Sequence, residues 1–284
     1  MHIAIALPSH VDGFDVADIP DWARTVEQLG FDALSFTDRP SWTTSEPLTS
    51  LAAAAAVTRR IGLLTSVLLA PLYVNAGLFA TATATIDRLA GQGRLRLGLA
   101  PGGRPQDYTG APVDFADRGP AFDSWLERVR ETWAGTNQLG PRPATPGGPP
   151  LLFGGSSTPT VRRVATHGSG WIGGGMTPEQ VADFITRLNA SFADAGRVGR
   201  PHVAVSVMTS IGPDAPGTGV DAVAGYYEDL GAEFRDSAVA GTLTTVTALR
   251  TIADAYSRVG VDELILTPNH PEPDTLGHLR DALA

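Results

Sequence analysis

Residues 61–103, IGLLTSVLLAP then LYVNAGLFATATATIDRLAGQG then RLRLGLAPGG, decide the fold. Positions 61–70 are apolar almost without a break, as a strand buried on both faces of a parallel sheet must be. Leu78, Ala82, Thr85, Ile86 and Leu89 follow at helical spacing and predict an apolar stripe along one side of a helix. Gly91-Gln92-Gly93 stops that helix, and Leu95, Leu97 and Leu99 alternate through a second strand. Strand, helix and strand with short connectors form a βαβ unit of right-handed crossover.

The same rhythm extends in both directions. Strands are predicted at 2–7, 33–37, 61–70, 94–100, 151–153, 171–172, 203–207 and 263–267, with helical patterns between them. Thr177-Pro178-Glu179-Gln180 opens one of these helices with a capping box. The Pro- and Gly-rich segment 135–150 is a connector, since the rhythm resumes unchanged beyond it. Eight such units predict a (β/α)8 TIM barrel, an α/β fold with residues 1–284 as a single domain. A doubly wound open sheet is the alternative, disfavoured because no dinucleotide fingerprint is present.

Composition excludes several functions. The 284 residues include no cysteine, which removes disulfides, thiolate catalysis and cysteine-bound metals. Net charge is −9 with no basic run, so neither nucleic acid nor an anionic membrane is an expected partner. No signal-peptide pattern or membrane span is evident, and a cytoplasmic location is expected. All basic residues are arginine, so a lysine Schiff base is impossible. No metal-ligand spacing is found, and no metal is expected.

Barrel sites lie at the C-terminal ends of the strands. That rule selects His10, the Asp38-Arg39 doublet, Ser66-Val67, Arg104, Gly154-Gly155-Ser156-Ser157, Gly173-Gly174-Gly175, and Asn269-His270. The two glycine-rich loops follow neighbouring strands, and one runs into a helix N-terminus, where free N–H groups and the helix dipole suit a phosphate. His10 and His270 are candidates for proton transfer. His2, His167, His202 and His278 are structural. Trp42, Tyr73, Phe79, Tyr108 and Phe115 either line an apolar pocket or pack beneath loops.

GFDALSFTDRP, the 60–103 stretch, PPLLFGGSSTPTVRRVATHGSGWIGGG and VGVDELILTP resemble the bacterial luciferase-like flavin-dependent oxidoreductase family. The resemblance implies a barrel that binds FMN, or the deazaflavin coenzyme F-420, at its mouth. It implies that Asp38, Ser66 and Val67 line the ring and that Gly154, Gly155, Ser156, Gly173, Gly174 and Gly175 hold the phosphate. Arg104 is expected near ring or phosphate, and a cis peptide is expected between Ser66 and Val67. The family's deazaflavin-dependent sugar-phosphate dehydrogenases carry a histidine after the aspartate and a glutamate after strand four. Here those places hold Arg39 and Gly103, and GSGW replaces the more usual GDGW.

The leading expectation is therefore a monooxygenase that takes reduced FMN from a separate reductase, uses O2, and acts on a small organic substrate. Asp38 would orient the ring, and His10 or His270 would move a proton. The alternatives are an F-420-dependent hydride-transfer oxidoreductase and a flavin-binding or cofactor-free barrel without redox activity. The resemblance also implies a homodimer.

Overall fold

The computed structural model describes residues 1–42, 44–212 and 215–284, the side chains of residues 215 and 216 excepted. Its strands are β1 (His2–Ala6), β2 (Ala33–Phe36), β3 (Gly62–Thr65), β4 (Leu68–Leu69), β5 (Leu95–Ala100), β6 (Leu151–Gly154), β7 (Gly170–Gly174), β8 (His202–Thr209) and β9 (Glu263–Pro268). All pair in parallel in the order β3-β2-β1-β9-β8-β7-β6-β5-β4, and a β3–β5 pairing closes the ring. A cis peptide between Ser66 and Val67 separates β3 from β4 at the expected place. These two short strands are halves of one, and the molecule is an eight-stranded (β/α)8 barrel. The open sheet is excluded.

The helices are α1 (Ile19–Gln28), α2 (Pro47–Val57), α3 (Ala76–Ala90), α4 (Arg118–Ala134), α5 (Thr158–His167), α6 (Pro178–Asp194), α7 (Ala215–Tyr226), α8 (Ala232–Ala240), α9 (Val246–Val259) and α10 (Asp274–Leu283). Alternation along the strands divides the core in two. Ala4, Ala33, Leu64, Leu152, Ala204 and Ile265 cluster inside the ring. Their neighbours Leu34, Leu63, Leu97, Trp171, Val205 and Leu264 join the larger layer that includes the buried helix faces. Small side chains on β1 and β2 suit the confined interior.

The same alternation brings Arg96, His202 and Glu263 together toward the N-terminal end. Arg96 donates to both Glu263 oxygens at 2.6 and 2.7 Å, and His202 Nε2 lies 3.1 Å from Oε2. Burial alone would raise the Glu263 pKa, but its hydrogen bonds to His202 and Arg96 and their charges prevail and hold it at about 2.

One predicted face is corrected. Leu78 and Leu89 of α3 are 67% and 53% exposed, while Phe79, Ala80, Thr83, Ile86 and Asp87 are buried. Phe79 sets the rotation, because its ring packs against Tyr73 and Trp125 at centroid distances of 5.2 and 4.7 Å. Buried Asp87 then accepts from Thr145 N and Oγ1, tying the Pro- and Gly-rich connector to α3. Gly91, with φ of +92°, ends the helix as expected.

Candidate active site

A cavity of about 600 Å³ opens at the C-terminal ends of the strands. Small and hydroxyl-bearing residues line its strand side, among them Ser66, Val67, Ser206 and Thr267. The hydroxyls pair with one another: Ser35 Oγ lies 2.6 Å from Ser66 Oγ, and Ser206 Oγ 3.1 Å from Thr267 Oγ1. Such pairing satisfies polar atoms that strand burial has taken from water.

Bare backbone forms a second wall. Gly154 ends β6 and Gly155 follows it, while Gly173 and Gly174 end the adjacent β7 and Gly175 follows; all five line the cavity. A Cβ on Gly154 would stand 3.1 Å from Val67 Cγ1 and 3.3 Å from Ala100 Cβ, tighter than packing normally allows. At Gly175 the space is open, but φ is +65°. Ser157 accepts from Thr160 N as the N-cap of α5, which places that helix N-terminus directly after the Gly154-Gly155 turn. Ser156 is exposed and lies outside the lining.

His10, just beyond β1, is buried and lines the cavity. Its Nε2 is 2.9 Å from Asn269 Oδ1. Burial lowers its pKa to about 4, opposed by the Asn269 hydrogen bond and reinforced by the nearby charge of Arg39. The imidazole is therefore neutral near pH 7 and can exchange a proton without a standing charge.

Other candidates are turned elsewhere. Asp38 does not line the cavity; its Oδ2 accepts from Leu69 N at 3.0 Å and from Tyr73 Oη at 3.2 Å, bracing the chain beyond the cis peptide. Burial lifts the Asp38 pKa to about 6 against the pull of those two donors, and Glu46 and Asp107 add to the rise. His270, also outside the lining, has Nε2 2.9 Å from Ser210 Oγ. None of the aromatic candidates lines the cavity: Phe79 packs between α3 and α4 on Tyr73 and Trp125, Tyr108 meets Phe115, and Trp42 meets Tyr226.

Arg104 and Arg39 are outside the cavity lining and reach towards the segment that covers it. Arg39 Nη1 and Nη2 donate to the Tyr226 carbonyl at 2.5 Å and Asp229 Oδ2 at 2.9 Å. Arg104 donates to Asp229 Oδ1 at 3.2 Å and to the same carbonyl at 3.3 Å. Two arginines from separate strand ends thus clamp the turn between α7 and α8 over the mouth. That turn and α8 bring Tyr226, Tyr227, Phe234 and Ala238 into the cavity lining. None of these was selected from the sequence as a site residue. The available signal was length, because the β8–β9 connection carries three α-helices and the other connections one each, among the described residues.

The profile of the luciferase-like monooxygenases matches residues 1–227. Two uncharacterized Mycobacterium tuberculosis proteins, Rv0940c and Rv0953c, are 31% identical over 159 residues and 29% identical over 175. These matches cover 51% and 56% of this chain and 54% and 60% of those proteins, so the chain spans little more than half the length of the curated relatives it matches. A monooxygenase from Streptomyces bottropensis shares the fold at a TM-score of 0.79 and 21% identity, over 100% of this chain and 98% of its own. An F-420-dependent secondary alcohol dehydrogenase, solved with an F-420–acetone adduct, also gives 0.79, at 14% identity over 99% and 98%. With four-fifths of its length matched by the family profile and its barrel shared by those structures, the chain belongs to the luciferase-like monooxygenase family.

Proposed function

We propose that this chain is an FMN-dependent monooxygenase that receives reduced flavin from a separate reductase and acts on a small organic substrate. The supporting observation is the character of the cavity wall. Bare glycine backbone beside Ser66 and Val67 offers a flat ring a surface to lie against, and among the described residues no Arg, Asp or Glu lines the cavity. These residues fit a flavin. Gly155, Gly173, Gly174 and Gly175 would meet its phosphate through backbone N–H groups, helped by the dipole of α5. A phosphate held by neutral donors, in a chain of net charge −9, is held loosely. Loose binding suits a flavin that is delivered and released at each turnover. The longer, more anionic tail of F-420 finds no cation in that wall, and Arg39 stands where the F-420-dependent sugar-phosphate dehydrogenases carry their histidine.

When bound, the reduced flavin would supply the electrons that activate O2. The chain's residues would provide the setting. Neutral His10 would accept a proton at the ring nitrogen not engaged by Asn269. Asp38 would act as a positioning residue through Leu69 and the Ser66–Val67 turn. The aromatic residues of α7 and α8 would keep bulk water from the cavity.

The test supplies reduced FMN and isotopically labelled O2 with a panel of small aromatic compounds. One labelled oxygen atom in the organic product is the expected result. Turnover under strict anaerobiosis with F-420 as donor would overturn the proposal in favour of hydride transfer. Binding of neither cofactor would leave a barrel without redox activity.

A further inference from the structure

The cavity has a chemical character of its own, apart from any cofactor. Its lining bears no formal charge among the described residues when His10 is neutral. On the cover side, outside the lining, Arg39 and Arg104 share the Asp229 carboxylate and the Tyr226 carbonyl.

Aromatic rings lead from His10 to the tip of the cover. Tyr226 meets His10 edge-on at 5.1 Å, Tyr227 meets Tyr226 at 4.9 Å, and Phe234 meets Tyr227 at 5.3 Å. Phe234 lines the cavity yet remains 48% exposed, and α8 has no buried residue. An apolar guest beneath α8 would cover part of that exposed ring. His10 adds direction. Asn269 Oδ1 is an acceptor, so the neutral imidazole carries its proton on Nε2 and keeps a lone pair on Nδ1.

We infer that this cavity accepts an aromatic molecule bearing a hydroxyl or N–H group, which donates to His10 while its rings pack against Tyr226, Tyr227 and Phe234. The inference rests on the cavity being the substrate site of the proposed function, but not on flavin or oxygen chemistry.

The full chain, without flavin, is titrated calorimetrically near pH 7.5 with 2-naphthol and 2-methoxynaphthalene. 2-Naphthol should bind more tightly, and 2-methoxynaphthalene, which lacks a donor, about fivefold more weakly, the worth of one ordinary hydrogen bond. His10→Phe should level the two ligands. Phe234→Ser, at an exposed position and so without demand on folding, should weaken both several-fold. Equal binding of the two by the unaltered chain, a naphthol preference that survives His10→Phe, or no binding of either naphthalene would each overturn the inference. A chain that shows the expected pattern but binds neither reduced FMN nor F-420 would refute only the redox reading. One that binds flavin but no naphthalene would refute only this inference.

Discussion

Replacing Glu263 with Gln should destabilise the barrel by about 3 kcal/mol near neutral pH. The Glu263 carboxyl is almost wholly buried and is held at a pKa of about 2 against an ordinary 4.5. That preference for the ionised form corresponds to about 3 kcal/mol of folding free energy. Removing one partner of a buried ion pair independently predicts about 3–5 kcal/mol, because Arg96 would keep its charge with no carboxylate beside it. The Arg96 side chain is 20% exposed, which favours the lower figure. The sign of the pH dependence follows from the depressed pKa. The stabilisation is complete above the unfolded value and disappears as pH falls from about 4.5 towards 2. Urea unfolding followed by far-UV circular dichroism should therefore show a constant gap between wild type and Glu263→Gln from pH 8 to 5.5. The gap should narrow by about 1 kcal/mol near pH 3.5–4. A gap below about 1 kcal/mol at pH 7.5, or one that is the same at pH 4, would refute the reasoning.

Asp38 should behave in the opposite sense. Its carboxyl is raised from 3.8 to about 6, so its contribution to stability is present in acid and lost as pH rises through 6; Asp38→Asn should gain about 2–3 kcal/mol on wild type between pH 3.5 and 8. Thermal melts at several pH values would show this, and a pH-independent difference would contradict it. A Cβ on Gly174 meets nothing closer than Ser206 O at 3.7 Å, so Gly174→Phe should fold normally while its ring intrudes on the cavity. Reduced-FMN affinity should fall at least about tenfold, or about 1.4 kcal/mol, and an unchanged affinity would remove the glycine wall from the flavin site.

The barrel was legible because strands buried on both faces leave apolar runs, and because helix boundaries carry chemical marks. Gly91 and the Thr177–Gln180 capping box are both found where the sequence places them. The face of α3 was harder, since its apolar residues ring much of the helix and tertiary packing of one aromatic, Phe79, selects the rotation. In the candidate site, the strand-end rule located His10, Asp38 and His270 correctly along the chain. It gave no direction for their side chains: His10 faces the cavity, while Asp38 braces a backbone turn and His270 packs beside Ser210. The roles of Arg39 and Arg104 depended on Asp229, which is 190 and 125 residues away, and no local pattern carries such a pairing.

The attachment of α8 has a consequence for how long a guest stays. The segment is held before α8 by the two arginines on Asp229, and after it by the bridge between Thr209 and Leu243, but α8 itself buries no side chain. Local unfolding of so lightly anchored a segment needs far less free energy than opening the barrel. Arg96, His202 and Glu263 occupy the far end of the ring. Higher ionic strength, by screening the pairs between the two arginines and Asp229, should therefore shorten a guest's residence without changing any group that meets it.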